Sequence, residues 1–234
     1  KKSILSLEKL LPKTFSIKKM SFLDIGCGSG LHSISAKLIG FKKVVSVDYD
    51  INSVSTTIQN AEKFGVEIDV FEDDVLNTNI DKKFDVVYSW GVLHHTGNLR
   101  KAIKESSNLV SKKGLYIIAI YRKTKFCIMW ENIKYFYCRS NSFFKFVLFL
   151  LYFSILLFRL LISFNIKNLS KIERGMSLYY DAIDWLGGYP YESASKDEIV
   201  NMVGDKFKLT NSFSTSNSIG LLGTGCAEYI FQKK

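Results

Sequence analysis

Cysteine is scarce in this chain and poorly placed for chemistry. Four cysteines stand among 234 residues, Cys27, Cys127, Cys138 and Cys226, at spacings that match no zinc or redox pair and too few for a disulfide framework. They are read as reduced, structural thiols: Cys27 lies between two glycines of a tight loop, and the others have no His nearby. Internal repeats and low-complexity linkers are also missing, which excludes solenoids and tethered arrays. The chain opens Lys1-Lys2 with nothing that resembles a signal peptide, which favours a cytoplasmic location. Its length suits one domain with an elaboration better than two full domains.

What is abundant is positive charge, and it is local. The formal net charge is +10, yet the segment 122–174 holds ten Lys or Arg against only Glu131 and Glu173, while the rest of the chain is nearly balanced. The same segment is the most apolar part of the molecule. A basic charge confined beside an aliphatic run, with no separate nucleic-acid module, does not point to a nucleic-acid partner.

Elsewhere short apolar runs alternate with helical spacing. Strands are predicted at Ser21–Ile25, Val44–Val47, Ile68–Phe71, Phe84–Ser89 and Leu115–Tyr121, with helices at Leu31–Ile39, Ile51–Phe64 and Leu99–Val110 between them. This alternation predicts an α/β fold whose sheet is mostly parallel, with right-handed crossovers and helices on both faces. After residue 174 the pattern resumes. Ser195 and Glu198 form a capping box ahead of a helix to about Val203, and Phe207–Ser214 and Ala227–Gln232 read as two closing strands. Gly220, Gly223 and Gly225 between them favour an antiparallel pair.

The first strand runs into Asp24-Ile25-Gly26-Cys27-Gly28-Ser29-Gly30. A dinucleotide loop spaces its glycines Gly-x-Gly-x-x-Gly to seat a pyrophosphate; here the third glycine comes one residue early and an Asp precedes the first. Acidic residues recur after the second strand (Asp48, followed by Tyr49) and after the third (Asp73-Asp74-Val75), so three successive strand ends present carboxylates on one edge of the sheet.

These motifs, with Phe84-Asp85-Val86-Val87-Tyr88-Ser89, resemble in order and spacing those of class I S-adenosylmethionine-dependent methyltransferases. The stretch Tyr88-Ser89-Trp90-Gly91-Val92-Leu93-His94-His95-Thr96 is similar to the small-molecule branch that includes the ubiquinone and menaquinone biosynthesis methyltransferases. The resemblance covers about Leu23 to Tyr121. It implies a Rossmann-like seven-stranded sheet with an antiparallel last strand and a site for S-adenosyl-L-methionine. In that site Asp24, Gly26, Cys27, Gly28 and Gly30 would face the methionine portion, Asp48 and Tyr49 the ribose, Asp74 and Val75 the adenine, and the Ser89-Trp90 backbone the sulfonium side. A ligand without phosphate and with an ammonium group suits the acidic lead-in. The sequence departs from the resemblance in its long insertion after the fifth strand.

Transfer from a sulfonium is an in-line displacement, so the protein aligns the acceptor and, for a hydroxyl, removes its proton. His94 and His95, just beyond the fourth strand, are candidate bases. The stretch from Met176 to Glu192, dense in aromatics and acids around Gly187-Gly188, suits an acceptor pocket in which Asp181 or Asp184 orients a hydroxyl or acts as base. The expected activity is methylation of a small or lipid-linked acceptor at oxygen. Two alternatives stay open: a nucleic-acid methyltransferase, against which stands the absence of an Asn- or Asp-Pro-Pro-aromatic sequence after the fourth strand, and a non-catalytic module that binds the cofactor at a membrane.

Phe146–Phe158 is apolar on nearly every side, bracketed by Lys145 and Arg159, and continues through Leu160–Phe164. Its length approaches a bilayer span, but the last two strands must rejoin the sheet, so spanning is disfavoured. Residues 143–164 are therefore expected either to lie in a membrane interface or to form a soluble lid. The chain divides into a cofactor-binding core (1–121), a basic, apolar helical insertion (122–174), and an acceptor loop with closing strands (175–234).

Overall fold

The computed structural model describes residues 2–12, 15–162, 178–214 and 219–234. Residues 163–177 lie outside this set; they carry Phe164 of the apolar run, Lys167, Lys171, Glu173 and Arg174 of the basic segment, and Met176 and Ser177 at the head of the aromatic cluster.

Seven strands form one sheet: β1 (Ser21–Ile25), β2 (Lys43–Asp48), β3 (Asp69–Glu72), β4 (Phe84–Trp90), β5 (Val110–Tyr121), β6 (Phe207–Ser214) and β7 (Cys226–Lys233), in the order β3-β2-β1-β4-β5-β7-β6. The first five run parallel, and β7 runs antiparallel to both β5 and β6, as the closing strands led one to expect. The chain leaves β1 toward β2 and β3, then returns to place β4 on the other side of β1. At such a reversal the loops leaving adjacent strand ends diverge and leave a crevice.

Helices α1 (Lys2–Leu10), α2 (Leu31–Leu38), α3 (Ile51–Lys63), α4 (Leu99–Asn108) and α8 (Lys196–Val203) cover the sheet. Because helices lie on both faces, alternate residues of one strand enter two different cores: Leu23, Val87 and Ile118 pack with Ile103 and Ile199, while Phe22, Val86 and Ile117 pack with Leu7, Leu10 and Ala36. Burial on both faces is why these strands read as continuous apolar runs. Helix α1 had no counterpart in the sequence reading; its buried Leu7 and Leu10 fix it against the second of these cores. The helix expected to reach Val110 stops at Asn108, and β5 begins at Val110. Lys113 there adopts φ 62°, and a side chain on Gly114 would come within 2.9 Å of the Asp85 carbonyl, so the irregular start of β5 hid it from a period-2 reading.

After β5 come α5 (Cys127–Arg139), α6 (Ser142–Ile162) and α7 (Leu178–Gly187). They build a third apolar cluster, in which Cys127, Trp130, Tyr152, Ala182, Leu186 and Tyr191 are buried. Helix α6 contributes Phe149, Tyr152, Phe153 and Leu156, spaced along one face, and leaves most of its remaining apolar side chains exposed. The predicted capping box is present: Ser195 Oγ accepts the Glu198 N–H at 3.2 Å and Glu198 accepts the Ser195 N–H at 2.8 Å.

Candidate active site

The glycine loop after β1 turns back on itself through left-handed residues, Gly26 (φ 78°), Gly28 (φ 56°) and Gly30 (φ 77°). A Cβ on Gly26 would lie 2.3 Å from the Val92 side chain, so the loop presses directly on the segment that follows β4. Four of its five amides are already engaged. Gly26 and Cys27 donate to the Val47 carbonyl at 2.8 and 3.0 Å, Gly30 donates to the Cys27 carbonyl at 2.8 Å, and Gly28 donates to Asp48 Oδ2 at 2.8 Å. A phosphate cradle needs such N–H groups aimed at its ligand, so this loop is ill suited to a pyrophosphate. Cys27 packs beneath it, where burial pushes the thiol up to about 12 and leaves it unreactive.

The acidic residues differ in environment. Asp24 is buried and accepts the Ser33 hydroxyl at 2.6 Å; burial chiefly, with the charge of Asp48 adding to it against the Ser33 hydrogen bond, lifts its carboxyl to about 7. Asp48 accepts two backbone N–H groups, from Gly28 at 2.8 Å and Asp50 at 3.0 Å, one on each oxygen. A carboxylate offers about four acceptor positions, so capacity remains on both oxygens. Asp74 caps the short turn Val75–Asn77, accepting the Leu76 N–H at 2.9 Å and the Asn77 side-chain amide at 3.0 Å.

A cavity of about 390 Å³ opens where these strand ends diverge. Of the residues singled out in sequence, Gly26, Asp48, Tyr49, Asp74, Val75 and His95 meet on its wall. Asp73, Val92, Thr96 and Pro190 are on it too, without having been foreseen. Asp24, Cys27, Gly28, Gly30 and Ser89 are not on the wall. Ser89 is buried, its hydroxyl donating to the Ile25 carbonyl at 2.9 Å and tying β4 to β1 under the loop.

A second cavity, of about 580 Å³, lies beside the first. Trp90, Gly91 and Tyr121 from the sheet edge form one side, and Tyr152 and Arg159 of α6 with Asp181, Asp184 and Trp185 of α7 another. Leu222, Gly223, Gly225 and Cys226 from the β6–β7 connection complete it. Trp90 is held by its indole N–H, which donates to Glu228 at 2.8 Å. His95 is on the walls of both cavities.

The two adjacent histidines have different surroundings. His95 Nδ1 is 2.7 Å from the Pro190 carbonyl; a carbonyl only accepts, so Nδ1 carries the hydrogen and Nε2 keeps a lone pair. Burial, and less strongly the charge of Lys134, hold its pKa below 6.5 against the opposing Pro190 hydrogen bond. His94 is fully buried, on neither wall, with its ring centroid 3.8 Å from that of Tyr121. Neither of its nitrogens has a hydrogen-bond partner among the described residues, and burial, then His95 and Lys134, push it well below 6.5.

The loop after α7 is stitched to the segment after β4. The Glu192 N–H donates to the His94 carbonyl at 3.0 Å, and the Glu192 carboxylate accepts the Leu99 N–H at 2.8 Å, capping α4. Lys134 of α5, unremarked in the sequence beyond its charge, is wholly buried. Its ammonium donates to the Trp185 carbonyl and stands 3.9 Å from the Trp185 ring centroid, and burial pushes its pKa down to about 7. A lysine stem on a half-apolar helix carries no sequence signal of whether its head will be covered.

Residues 16–143 match the family model described as a methyltransferase domain. The ribosomal protein L11 methyltransferase of Thermosipho melanesiensis is 35% identical over 113 residues, which is 48% of this chain and 42% of that protein. The ubiquinone biosynthesis O-methyltransferase of Rickettsia prowazekii is 30% identical over 119 residues, 51% of this chain and 47% of that protein. The chain thus spans about half the length of these curated relatives. Among solved structures, magnesium protoporphyrin IX methyltransferase from Synechocystis, with S-adenosylhomocysteine bound, superposes over 99% of this chain and 82% of its own, at a TM-score of 0.62 and 16% identity, a likeness of fold. With the family model covering more than half of its residues and the seven-stranded sheet in the expected order, the chain belongs to the methyltransferase domain family.

Proposed function

We propose that the protein moves a methyl group from S-adenosylmethionine, held in the 390 Å³ cavity, to the hydroxyl of a small or lipid-linked acceptor held in the 580 Å³ cavity. The observation that carries this reading is the position of His95 on both walls. Two reactants in neighbouring cavities meet where the cavities meet, and a neutral imidazole stands there.

The donor set suits this nucleoside. Four of the five loop amides are bonded within the protein, and the carboxylates of Asp48, Asp73 and Asp74 on the first cavity's wall suit hydroxyl and amino donors better than a phosphate. Both volumes fall in the range of about 300–1,000 Å³ usual for small-molecule sites. When bound, S-adenosylmethionine supplies an electrophilic methyl group on a positively charged sulfur. Asp48 would accept from ribose hydroxyls and Asp74 from the adenine amino group, while Asp24, buried beneath the wall against Ser33, would add negative charge behind the glycine loop.

His95 Nε2 takes the acceptor's hydroxyl proton as the oxygen–methyl bond forms and the methyl–sulfur bond breaks, the bonding pair staying on sulfur. Asp181 and Asp184, three residues apart on α7 and on the same wall, orient the acceptor by hydrogen bonds. The aromatic and acidic side chains lining the second cavity, Trp90, Tyr121, Trp185, Asp181 and Asp184, support a small molecule or a projecting head group as acceptor.

Calorimetric titration with S-adenosylhomocysteine and separately with NAD tests the first half. One-to-one binding of the former and none of the latter is expected, and the reverse would overturn the reading. Release of S-adenosylhomocysteine in the presence of a small-molecule and lipid extract tests the second half. Binding without turnover on that extract, with turnover on a ribosomal protein fraction instead, would reassign the acceptor.

A further inference from the structure

We infer that the exposed face of α6 is a docking surface for a bilayer with anionic headgroups, lying along the membrane interface rather than crossing it. Within Ser142–Arg159, a window of mean hydropathy 1.8, Tyr152 alone is buried. Away from the packed row of Phe149, Tyr152, Phe153 and Leu156, the helix presents Phe143 (68% exposed), Leu151 (60%) and Phe158 (64%) to the outside, with Phe146 (58%) exposed on the flank. The patch continues onto α5, where the half-exposed Phe136 meets Phe144 with ring centroids 6.1 Å apart. Soluble monomers seldom leave an apolar strip of this extent uncovered.

Charge selects the occupant. Of the basic residues in 122–162, Lys134 is buried, Arg122 donates to the Thr224 carbonyl and Lys123 pairs with Glu198, while Lys125, Arg139, Lys145 and Arg159 remain at least partly exposed against the single acid Glu131. A second copy of this chain would bring an equally positive face to the contact. Anionic headgroups complement it, at roughly a fivefold gain in binding per nearby basic side chain. Arg159, next after Phe158 but on the flank that carries Tyr152, is itself exposed, and a long basic side chain can reach lipid phosphates while its stem lies along the apolar layer.

The geometry also sets the orientation. Tyr152 and Arg159, two turns apart, both touch the second cavity, and Tyr152 donates to the Leu222 carbonyl at 3.2 Å. A helix held against its own domain along this length cannot stand upright through about 30 Å of hydrocarbon, so it lies in the surface layer. The second cavity, with Tyr152 and Arg159 of α6 on its wall, then lies beside the lipid surface. Resting on the methyl-transfer reading, its acceptor is an amphiphile that resides in the membrane and offers a hydroxyl on its polar head.

The test is flotation of the full chain with vesicles of phosphatidylcholine alone and of phosphatidylcholine with phosphatidylglycerol. Co-flotation at least tenfold greater with the anionic vesicles is expected. It should be lost in a variant carrying Phe143→Ser, Phe146→Ser, Leu151→Ser and Phe158→Ser, which leaves the packed row intact. Light scattering without lipid reports whether α6 instead pairs two copies. Absence of flotation, flotation indifferent to lipid charge, or a dimer dissolved by the same four substitutions would each overturn the inference. Calorimetry with S-adenosylhomocysteine, without vesicles, shows that the variant is folded and judges the methyltransferase reading separately.

Discussion

His95 donates its Nδ1 hydrogen to the carbonyl of Pro190 at 2.7 Å, joining the turn after β4 to the loop after α7 across 95 positions of sequence. One hydrogen bond thus fixes the tautomer of the imidazole on the wall shared by the two cavities and anchors the loop whose Pro190 lines the first of them. Its depressed pKa keeps the ring neutral through physiological pH.

His95→Gln should lower kcat by about 10²- to 10⁴-fold, the usual contribution of a general base, with a much smaller change in affinity for S-adenosylhomocysteine. Because the folded pKa lies below 6.5, wild-type kcat should be level above pH 6.5 and fall only on the acid side. Steady-state kinetics from pH 5 to 8.5 check this. A variant as fast as the wild type would remove His95 from the chemistry.

Asp24 gives binding a pH dependence of its own. Its carboxyl, lifted from 3.8 to about 7, is protonated in the free protein at pH 6, whereas attracting an ammonium from beneath the wall requires the charged form. Affinity for S-adenosylhomocysteine should weaken as pH falls below about 7 and level off above it. Asp24→Asn should abolish that slope in calorimetric titrations. The same shift has a stability consequence of opposite sense: the native state holds this proton longer than the unfolded chain, so the ligand-free protein loses stability as pH rises from about 4 to 7.

Asp48 organises the loop as well as the cavity, through the 2.8 Å hydrogen bond from Gly28. Asp48→Ala removes a charged acceptor, an interaction of about 1.5–3 kcal/mol, so the dissociation constant for S-adenosylhomocysteine should rise by roughly 10- to 150-fold. Asp48→Asn keeps an acceptor for the Gly28 N–H and should fall between. Equal affinity in all three proteins would exclude Asp48 from the site.

Gly26 admits no side chain. Its φ of 78° disfavours one, and a Cβ would meet Val92 at 2.3 Å. Gly26→Ala should cost about 1–3 kcal/mol of stability and weaken cofactor binding, measured by denaturant unfolding and calorimetry. Adding Val92→Ala should recover part of the loss, the strain of the left-handed backbone remaining. No recovery would mean that Val92 does not set the constraint.

Lys134 should reveal its burial through pH. The unfolded chain keeps the proton to about 10.5 and the native state only to about 7, so between these values the unfolded state binds more protons and native stability rises with pH. Lys134→Met lacks this contribution. The melting temperature of the wild type should therefore gain on that of the variant from pH 7 to 10. A constant difference would show that the ammonium is not desolvated.

Much of the framework was legible in the sequence because it depends on local order. Alternating apolar runs specified five parallel strands within a residue or two at most ends, and glycines after β1 announced a turn that only left-handed residues can make. Carboxylates at three successive strand ends belong to one edge in any parallel sheet, so Asp48 and Asp74 could be brought together on paper. Helix α1 escaped notice because only two of its nine residues are fully buried.

What the sequence could not decide was which equivalent-looking residues would share a wall. His94 and His95 are neighbours with the same chemistry, yet packing against Tyr121 buries one and a carbonyl from Pro190 aims the other. Lys134 and Arg159 are two cations of one basic segment; the first is covered by Trp185 and Tyr191, the second left exposed on a cavity wall. Local propensity and periodicity act over a turn or two of chain, and the sequence determined what they control. Burial, pKa and cavity walls arise from groups brought together across 50 to 100 residues, where desolvation and packing act only once the chain has closed, and so they belong to the tertiary structure alone.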